Sequence, residues 1–400
     1  MTKKEQVADK TKVSDIKKIR KKRSRRALAK RTVVFSAVIV FIIAIVIAIE
    51  SIGVANLEIW FSDFNSRFVV GDGYPIETEF GEITDIKTVG GNLAVITEEN
   101  ISVYNDAGGR IKNEHIGYKC AIVNESEDGS RLVVYDASGT GLKVESKSSV
   151  ETERKFDSKI IAADRAKNKS IAVITEAERK LCEVAVYSKS GDEVFRWSSG
   201  DNYALAVSIS DNGEKVAIGA FNLNGAEYSS RIICFSVKNG KELYRYEIGD
   251  RLILFMNLLS DGRVSLITED KAMTVAADGK SATEYDYGGR DLVLWERESS
   301  KTEGKSALCF KDNGKYEVVI IEADSTEYKK EKLDVVKVSD MALFDSTLYV
   351  ACSGGITAVD EDGARTVAEE KNIGGESLKI AVTGKYIYCL TSKGIERVEK

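Results

Sequence analysis

His115 is the single histidine among 400 residues. That removes histidine relays and leaves almost nothing for His-containing metal sites. The six cysteines stand far apart with no CxxC pair, so neither a dithiol redox centre nor a zinc ribbon is encoded. There is no HExxH, GxSxG or GxxxxGK[ST]. Gly279-Lys280-Ser281 and Gly304-Lys305-Ser306 end like phosphate loops but lack the upstream glycine that shapes the cradle. Asp360-Glu361-Asp362-Gly363 begins like a calcium loop, lacks the later ligands and the closing glutamate, and reads as a turn. The 63 Asp and Glu supply carboxylates enough for glycoside hydrolysis, yet no spacing singles out a pair. The expectation is no catalytic residue, no metal and no cofactor.

The chemistry that remains is recognition. Four loops share a glycine followed by polar residues: Gly200-Asp201-Asn202, Gly249-Asp250-Arg251, Gly288-Gly289-Arg290 and Gly374-Gly375-Glu376. If they lie on one face, Asp201, Asp250, Arg251, Arg290 and Glu376 ring an opening with both signs of charge, which suits a polar ligand or a partner loop. A longer insertion, 221–230, carries Phe221 and Tyr228 and offers a second contact surface.

What must position these loops is a repeat. Apolar strands with a Thr-acidic or Thr-Ser ending recur, as in Leu93-Ala94-Val95-Ile96-Thr97-Glu98 and Ile171-Ala172-Val173-Ile174-Thr175-Glu176. Equivalent strands start at residues 93, 132, 171, 216, 264, 307, 348 and 387, with a mean spacing of 42. Short β-branched runs at that period are the signature of propeller blades, not of paired helices. An inner strand precedes each, joined by turns such as Ser210-Asp211-Asn212-Gly213 and Ser260-Asp261-Gly262, where glycine accepts positive φ and Asp or Asn bonds back to the chain. Two further strands complete a four-stranded unit. The fold class is therefore all-β, a closed propeller of four-stranded blades. Eight blades are favoured, and seven remain if one unit is misread.

The eighth unit runs out of chain before its outer strand. An orphan segment, Tyr74-Pro75-Ile76-Glu77-Thr78-Glu79-Phe80, precedes the first inner strand. Joining it to the last blade closes the ring and removes an exposed sheet edge. Pro75 sits at its start, where an outer strand tolerates proline. Of the cysteines, Cys120, Cys234, Cys309, Cys352 and Cys389 fall inside apolar strand patterns and Cys182 does not. With an ample core, unpaired buried cysteines are expected over a disulfide framework.

The overall charge of −5 hides two halves. Residues 1–32 hold 14 Lys and Arg against 3 Asp and Glu, a net of +11, and the other 368 residues carry a net of −16. Between them, Val33 to Ile49 is seventeen residues with no charge and one polar residue, Ser36. At about 1.5 Å per residue a helix of that length just spans a bilayer core. Ten basic residues from Lys17 to Arg31 directly precede it, so the positive-inside rule puts the N-terminus in the cytoplasm and the rest outside. The competing reading is a cleaved export signal. Against it, the apolar run is long and Gly53-Val54-Ala55 is a poor cleavage site. The division expected is 1–32 basic tail, 33–49 transmembrane helix, 50–70 juxtamembrane stalk and 71–400 extracytoplasmic propeller. The tail suits anionic inner-leaflet lipid. With no Phe, Tyr or Trp in 1–32, no nucleic acid is expected.

The basic tail, the single apolar segment, the Gly73-Tyr74-Pro75-Ile76 entry and the Leu-Ala-Val-Ile-Thr strands resemble an uncharacterised family of single-pass, membrane-anchored β-propeller proteins of Gram-positive, Clostridia-type bacteria. The Ser-acidic-Gly strands are also similar to WD40-like and pyrroloquinoline-quinone-type repeats. The recurring Trp of the latter and the regular Gly-His and Trp-Asp pairs of the former are missing. The resemblance implies fold and topology and carries no activity. The function expected is a non-enzymatic, membrane-anchored module that binds a protein or a cell-envelope polymer at the plasma membrane. The alternatives are a propeller enzyme acting on a glycan or small molecule, and a sensory or assembly subunit of a membrane complex.

Overall fold

A computed structural model describes residues 54–77, 83–126, 128–224, 227–298, 304–323 and 328–400. The apolar run 33–49 and the basic tail lie outside the described residues. Among those described, no helix is long and apolar enough to cross a membrane. The chain divides into two units, Met1–Phe61 and Ser62–Lys400. Of the first, the described part is the opening of a helix, Val54–Asn65.

The second unit is a ring of eight antiparallel sheets that follow one another along the chain. Blades 1 to 8 span 83–115, 121–155, 160–199, 203–249, 253–286, 291–333, 338–369 and 379–399. Among the described residues, seven have four strands in sequence order, and the eighth has three. The second strands are Asn92–Thr97, Leu132–Asp136, Ile171–Thr175, Lys215–Asn224, Val264–Thr268, Ser306–Asp312, Thr347–Cys352 and Tyr386–Thr391. Each begins within one residue of the start expected from the repeat. Their apolar continuity has a plain cause. A second strand is covered on both faces by neighbouring blades, so consecutive residues are buried, as all five are in Ile171–Thr175. Outer strands are far less covered: Val150–Lys155 has no buried residue and Arg110–His115 has one.

The core is correspondingly divided into seams. Each of the eight apolar clusters joins one blade to the next, from Val89, Ile101 and Val134 between blades 1 and 2 to Ile86, Tyr388 and Ile395 between blades 1 and 8. A ring stabilised in this way depends on closure, and the expected segment supplies a bridge for it at Ile76, its residues 78–80 lying outside the described residues. Ile76 bridges Ile395 antiparallel. Tyr74 packs on Tyr388 with ring centroids 5.4 Å apart, and its hydroxyl donates to the Asn105 carbonyl at 3.0 Å.

The segment leading into that strand is also docked. Asp63 Oδ1 accepts from the Ser148 hydroxyl at 2.6 Å and the Ser146 hydroxyl at 3.0 Å. Asn105 Nδ2 donates to the Val69 carbonyl at 2.7 Å, and Gly73 N–H donates to the Ala107 carbonyl at 3.1 Å. Backbone meets backbone here. A Cβ on Gly71 would collide with the main chain of 107–109, and one on Gly109 with the carbonyls of Val69 and Val70.

The hairpin turns follow the chemistry read from sequence. In blade 4 the Ser210 hydroxyl donates to Asn212 Oδ1 at 2.9 Å and accepts the Lys215 N–H at 3.0 Å. Gly213 holds the left-handed φ of 71°. Asp360 Oδ1 accepts the Asp362 N–H within its own turn. All six cysteines are unpaired and five are buried, Cys182 among them. Cys120 departs from expectation. It is exposed, because the strand Ala121–Glu125 starts one residue later and leaves Cys120 in the loop between blades.

Candidate functional site

The fourth blade is built differently from the others. Its two middle strands, Lys215–Asn224 and Glu227–Ser236, are ten residues each and stay paired to their tips, Asn224 opposite Glu227. Second strands elsewhere run five to seven residues. The extra length carries the hairpin past the edge of the ring with its apolar side chains unburied. Leu223 is 54% exposed, and Phe221 stacks on Tyr203 with centroids 5.0 Å apart.

A β-bulge supplies the opposite wall. The register of inner strand Tyr203–Ile209 slips between Ala204 and Ala206, which turns Leu205 out of the sheet to 45% exposure. In Ile253–Leu258 the same slip occurs between Ile253 and Phe255, and Leu254 is turned out. Thr84, Ile161, Val293 and Ser339 occupy the equivalent bulge in four other blades. Beside blade 4 the result is a groove of about 240 Å³ lined by Leu205, Phe221, Leu223, Tyr228, Leu252 and Ile253. Its polar atoms come chiefly from Tyr228 and Ser230.

The groove's rim is acidic. Asp250 is 87% exposed, with Arg251 Nη1 3.9 Å away, and Glu227 is exposed beside the hairpin tip. Partial burial, with the Glu269 and Asp250 carboxylates nearby, raises the Tyr228 phenol above its ordinary pKa. Arg251 is the local cation, and it is committed. Its Nε donates to both oxygens of Asp270 at 2.9 Å, and Nη1 donates to the Ile248 carbonyl at 3.0 Å. Burial pushes the Asp270 carboxyl up, but the Thr268 hydroxyl and Arg251 outweigh it and hold it below the usual range.

The candidate contact residues of the four loops and of the 221–230 insertion therefore separate into two groups. Asp201, Asp250, Arg251, Phe221 and Tyr228 gather around blade 4, where the Asp201 carbonyl accepts Asn222 Nδ2 at 2.5 Å. Arg290 and Glu376 lie elsewhere. Arg290 turns inward between blades 5 and 6. It pairs with Glu317, donates to the Tyr285 hydroxyl at 2.7 Å and lies over the Phe310 ring at 4.2 Å. Glu376 pairs with Lys337 at 2.9 Å between blades 7 and 8.

Leu205, Leu252 and Ile253 were not singled out from sequence, though a signal existed. Leu252-Ile253-Leu254-Phe255-Met256 is apolar at five successive positions in an inner strand with only one well-covered face. Such a run must expose one parity or bulge, and it does both.

No curated protein matches the chain. Among solved structures, the C-terminal WD40 domain of Sif2 aligns with 83% of this chain and 99% of its own length at 11% identity, with a TM-score of 0.54. A structure described as the eukaryotic initiation factor aligns with 81% of this chain and 84% of its own at 10% identity, with a TM-score of 0.50. These likenesses are of fold alone. A family model matches residues 68–399, from the docked segment ahead of the closing strand to the last strand of blade 8. The chain belongs to that family, a family of unknown function (DUF5711).

Proposed function

We propose that this protein is a membrane-anchored, extracytoplasmic binding module without catalytic activity, and that blade 4 is its docking surface. The observation that carries the reading is the apolar groove between the overlong hairpin and the bulged Leu205. Its occupant is a segment of an envelope protein that presents an aromatic or aliphatic side chain flanked by Lys or Arg. The apolar part fills the groove, and the basic flank answers Asp201, Glu227 and Asp250. The anchor is the apolar run of residues 33–49, with the tail from Lys17 to Arg31 against anionic lipid of the inner leaflet. Support for that topology is the sequence alone: ten basic residues before an uncharged run, and a net-negative remainder after it.

A photo-crosslinking amino acid at Leu223 of the full-length protein in living cells tests the site. One reproducible protein adduct is expected, lost in Phe221→Asp and retained in a distant surface variant such as Lys189→Ala. Absence of an adduct, or one indifferent to Phe221→Asp, removes the groove from consideration. Protease added to wall-stripped cells tests the topology. The propeller should be cut or released, and its protection beside a digested outside marker would reverse the orientation. A product formed from a candidate glycan by the purified protein would overturn the non-enzymatic reading.

A further inference from the structure

Along the ring axis, inner strands from five blades enclose a cavity of about 140 Å³. Its walls are charged, unlike the groove on blade 4. Four carboxylates line it: Asp85 of blade 1, Glu125 of blade 2, Glu296 of blade 6 and Asp340 of blade 7. Three cations face them: Lys87 of blade 1, Arg297 of blade 6 and Lys379 of blade 8. One negative charge is left over.

The cations are already engaged. Lys87 Nζ lies 3.1 Å from one oxygen of Asp85, and Lys379 Nζ lies 3.6 Å from the other. Arg297 Nη2 donates to the Glu125 carbonyl at 3.0 Å. Glu125 Oε1 accepts from the Thr88 N–H at 2.6 Å and from the Thr88 hydroxyl at 3.2 Å. The two remaining carboxylates have only main-chain donors. Glu296 Oε1 accepts the Arg297 N–H at 3.0 Å, and Asp340 Oδ2 accepts the Ile380 N–H at 2.9 Å. Among the described residues, neither forms an ion pair within 4.0 Å.

We propose that this axial cavity binds a small primary ammonium compound, whose N–H groups donate to the carboxylates of Glu296 and Asp340. An ammonium group fits the surplus charge and needs only acceptors around it. A metal ion fits less well. Among the described residues, no three His, Cys, Asp or Glu side chains converge to hold one.

The site's response to pH follows from its surroundings. Burial pushes the Glu296 carboxyl up to about 7. Lys87 and the Arg297 N–H oppose that, and Glu125 and Asp340 reinforce it. Burial likewise raises Asp340, against the Ile380 N–H and Lys379 and together with Asp85. A bound cation reverses both effects, so binding at acid pH expels a proton from Glu296 and weakens accordingly.

Calorimetric titration of the full-length protein with methylammonium chloride, up to about 10 mM, tests this directly. Tetramethylammonium, which has no N–H, is the control. Saturable binding of methylammonium is expected at pH 8, about tenfold weaker at pH 6, as a controlling acid of pKa near 7 requires. Proton release at pH 6 is expected in buffers of different ionisation enthalpy. Glu296→Gln should weaken binding at pH 8 by about tenfold or more and reduce the difference between pH 8 and pH 6. Asp340→Asn, which keeps an acceptor for the Ile380 N–H, should weaken binding without lowering the melting temperature. The proposal is overturned by no saturable methylammonium heat, by equal binding of tetramethylammonium, or by wild-type affinity in both variants.

Discussion

Ile76 and Ile395 exchange both of their main-chain hydrogen bonds, at 2.9 Å and 3.0 Å, and so join the two ends of the ring. Ile395 is fully buried in the seam between blades 8 and 1. Ile76→Pro removes one donor and leaves the Ile395 carbonyl without its partner. The expected loss is about 2–3 kcal/mol. It should appear as a lower urea midpoint, with earlier hydrogen exchange in Tyr386–Thr391 than in Ile171–Thr175. An unchanged midpoint would mean that the ring is closed by side-chain packing alone.

Between blades 1 and 2, Lys112 meets Glu145 at 2.6 Å with both side chains almost fully buried. Lys112 also donates to the Ser146 carbonyl at 2.9 Å. Lys112→Met should cost about 3–5 kcal/mol, because it strands a buried carboxylate. The double variant Lys112→Met with Glu145→Leu should recover most of that loss. Equal instability of the single and double variants in urea would refute this account.

Arg290 and Arg251 look alike in sequence and differ in placement. Arg290→Ala removes an ion pair, a hydrogen bond to Tyr285 and a contact with Phe310, at an expected cost of about 2 kcal/mol. Arg251→Ala loses a more exposed pair and should cost under about 1 kcal/mol. Thermal melts of the two variants decide it, and equal losses would count against the inward role of Arg290.

Glu296 makes stability depend on pH. Its carboxyl is raised to about 7 from an ordinary 4.5, so the folded ring holds more protons than the unfolded chain between those values. Stability therefore falls as pH rises through that window and levels off above it. Glu296→Gln should match wild type near pH 4.5 and exceed it at pH 8 by about 1–3 kcal/mol. Parallel stability curves for the two proteins from pH 4.5 to 8 would contradict the assignment.

How much of this was legible depends on where each residue's neighbours lie in the chain. Ile171-Ala172-Val173-Ile174 announced a second strand because burial on both faces leaves an uninterrupted apolar run. Ser210 to Gly213 announced a turn because its hydrogen bonds close within six residues. The closing role of Ile76 was legible by subtraction, since the eighth unit lacked a strand and one strand lacked a unit. The direction of Arg290 was not legible. Phe310 and Glu317 belong to the next blade, and nothing local distinguishes an inward arginine from a solvated one. Glu296 is hidden in the same way. A single glutamate in a strand is unremarkable until inner strands from four other blades bring Lys87, Glu125, Asp340 and Lys379 around it.

The docked segment ahead of the closing strand has a mechanical consequence. Force arriving along the chain from its N-terminal side meets Asp63 on Ser148 first, then Val69 on Asn105, then Gly73 on Ala107, before it reaches Ile76. These clamps lie on blades 1 and 2, so tension is shed into the body of the ring and the seam at blade 8 is spared. Gly71 sets the contact distance that makes this possible. A side chain there would lift the segment and transfer the load to the bridge between Ile76 and Ile395.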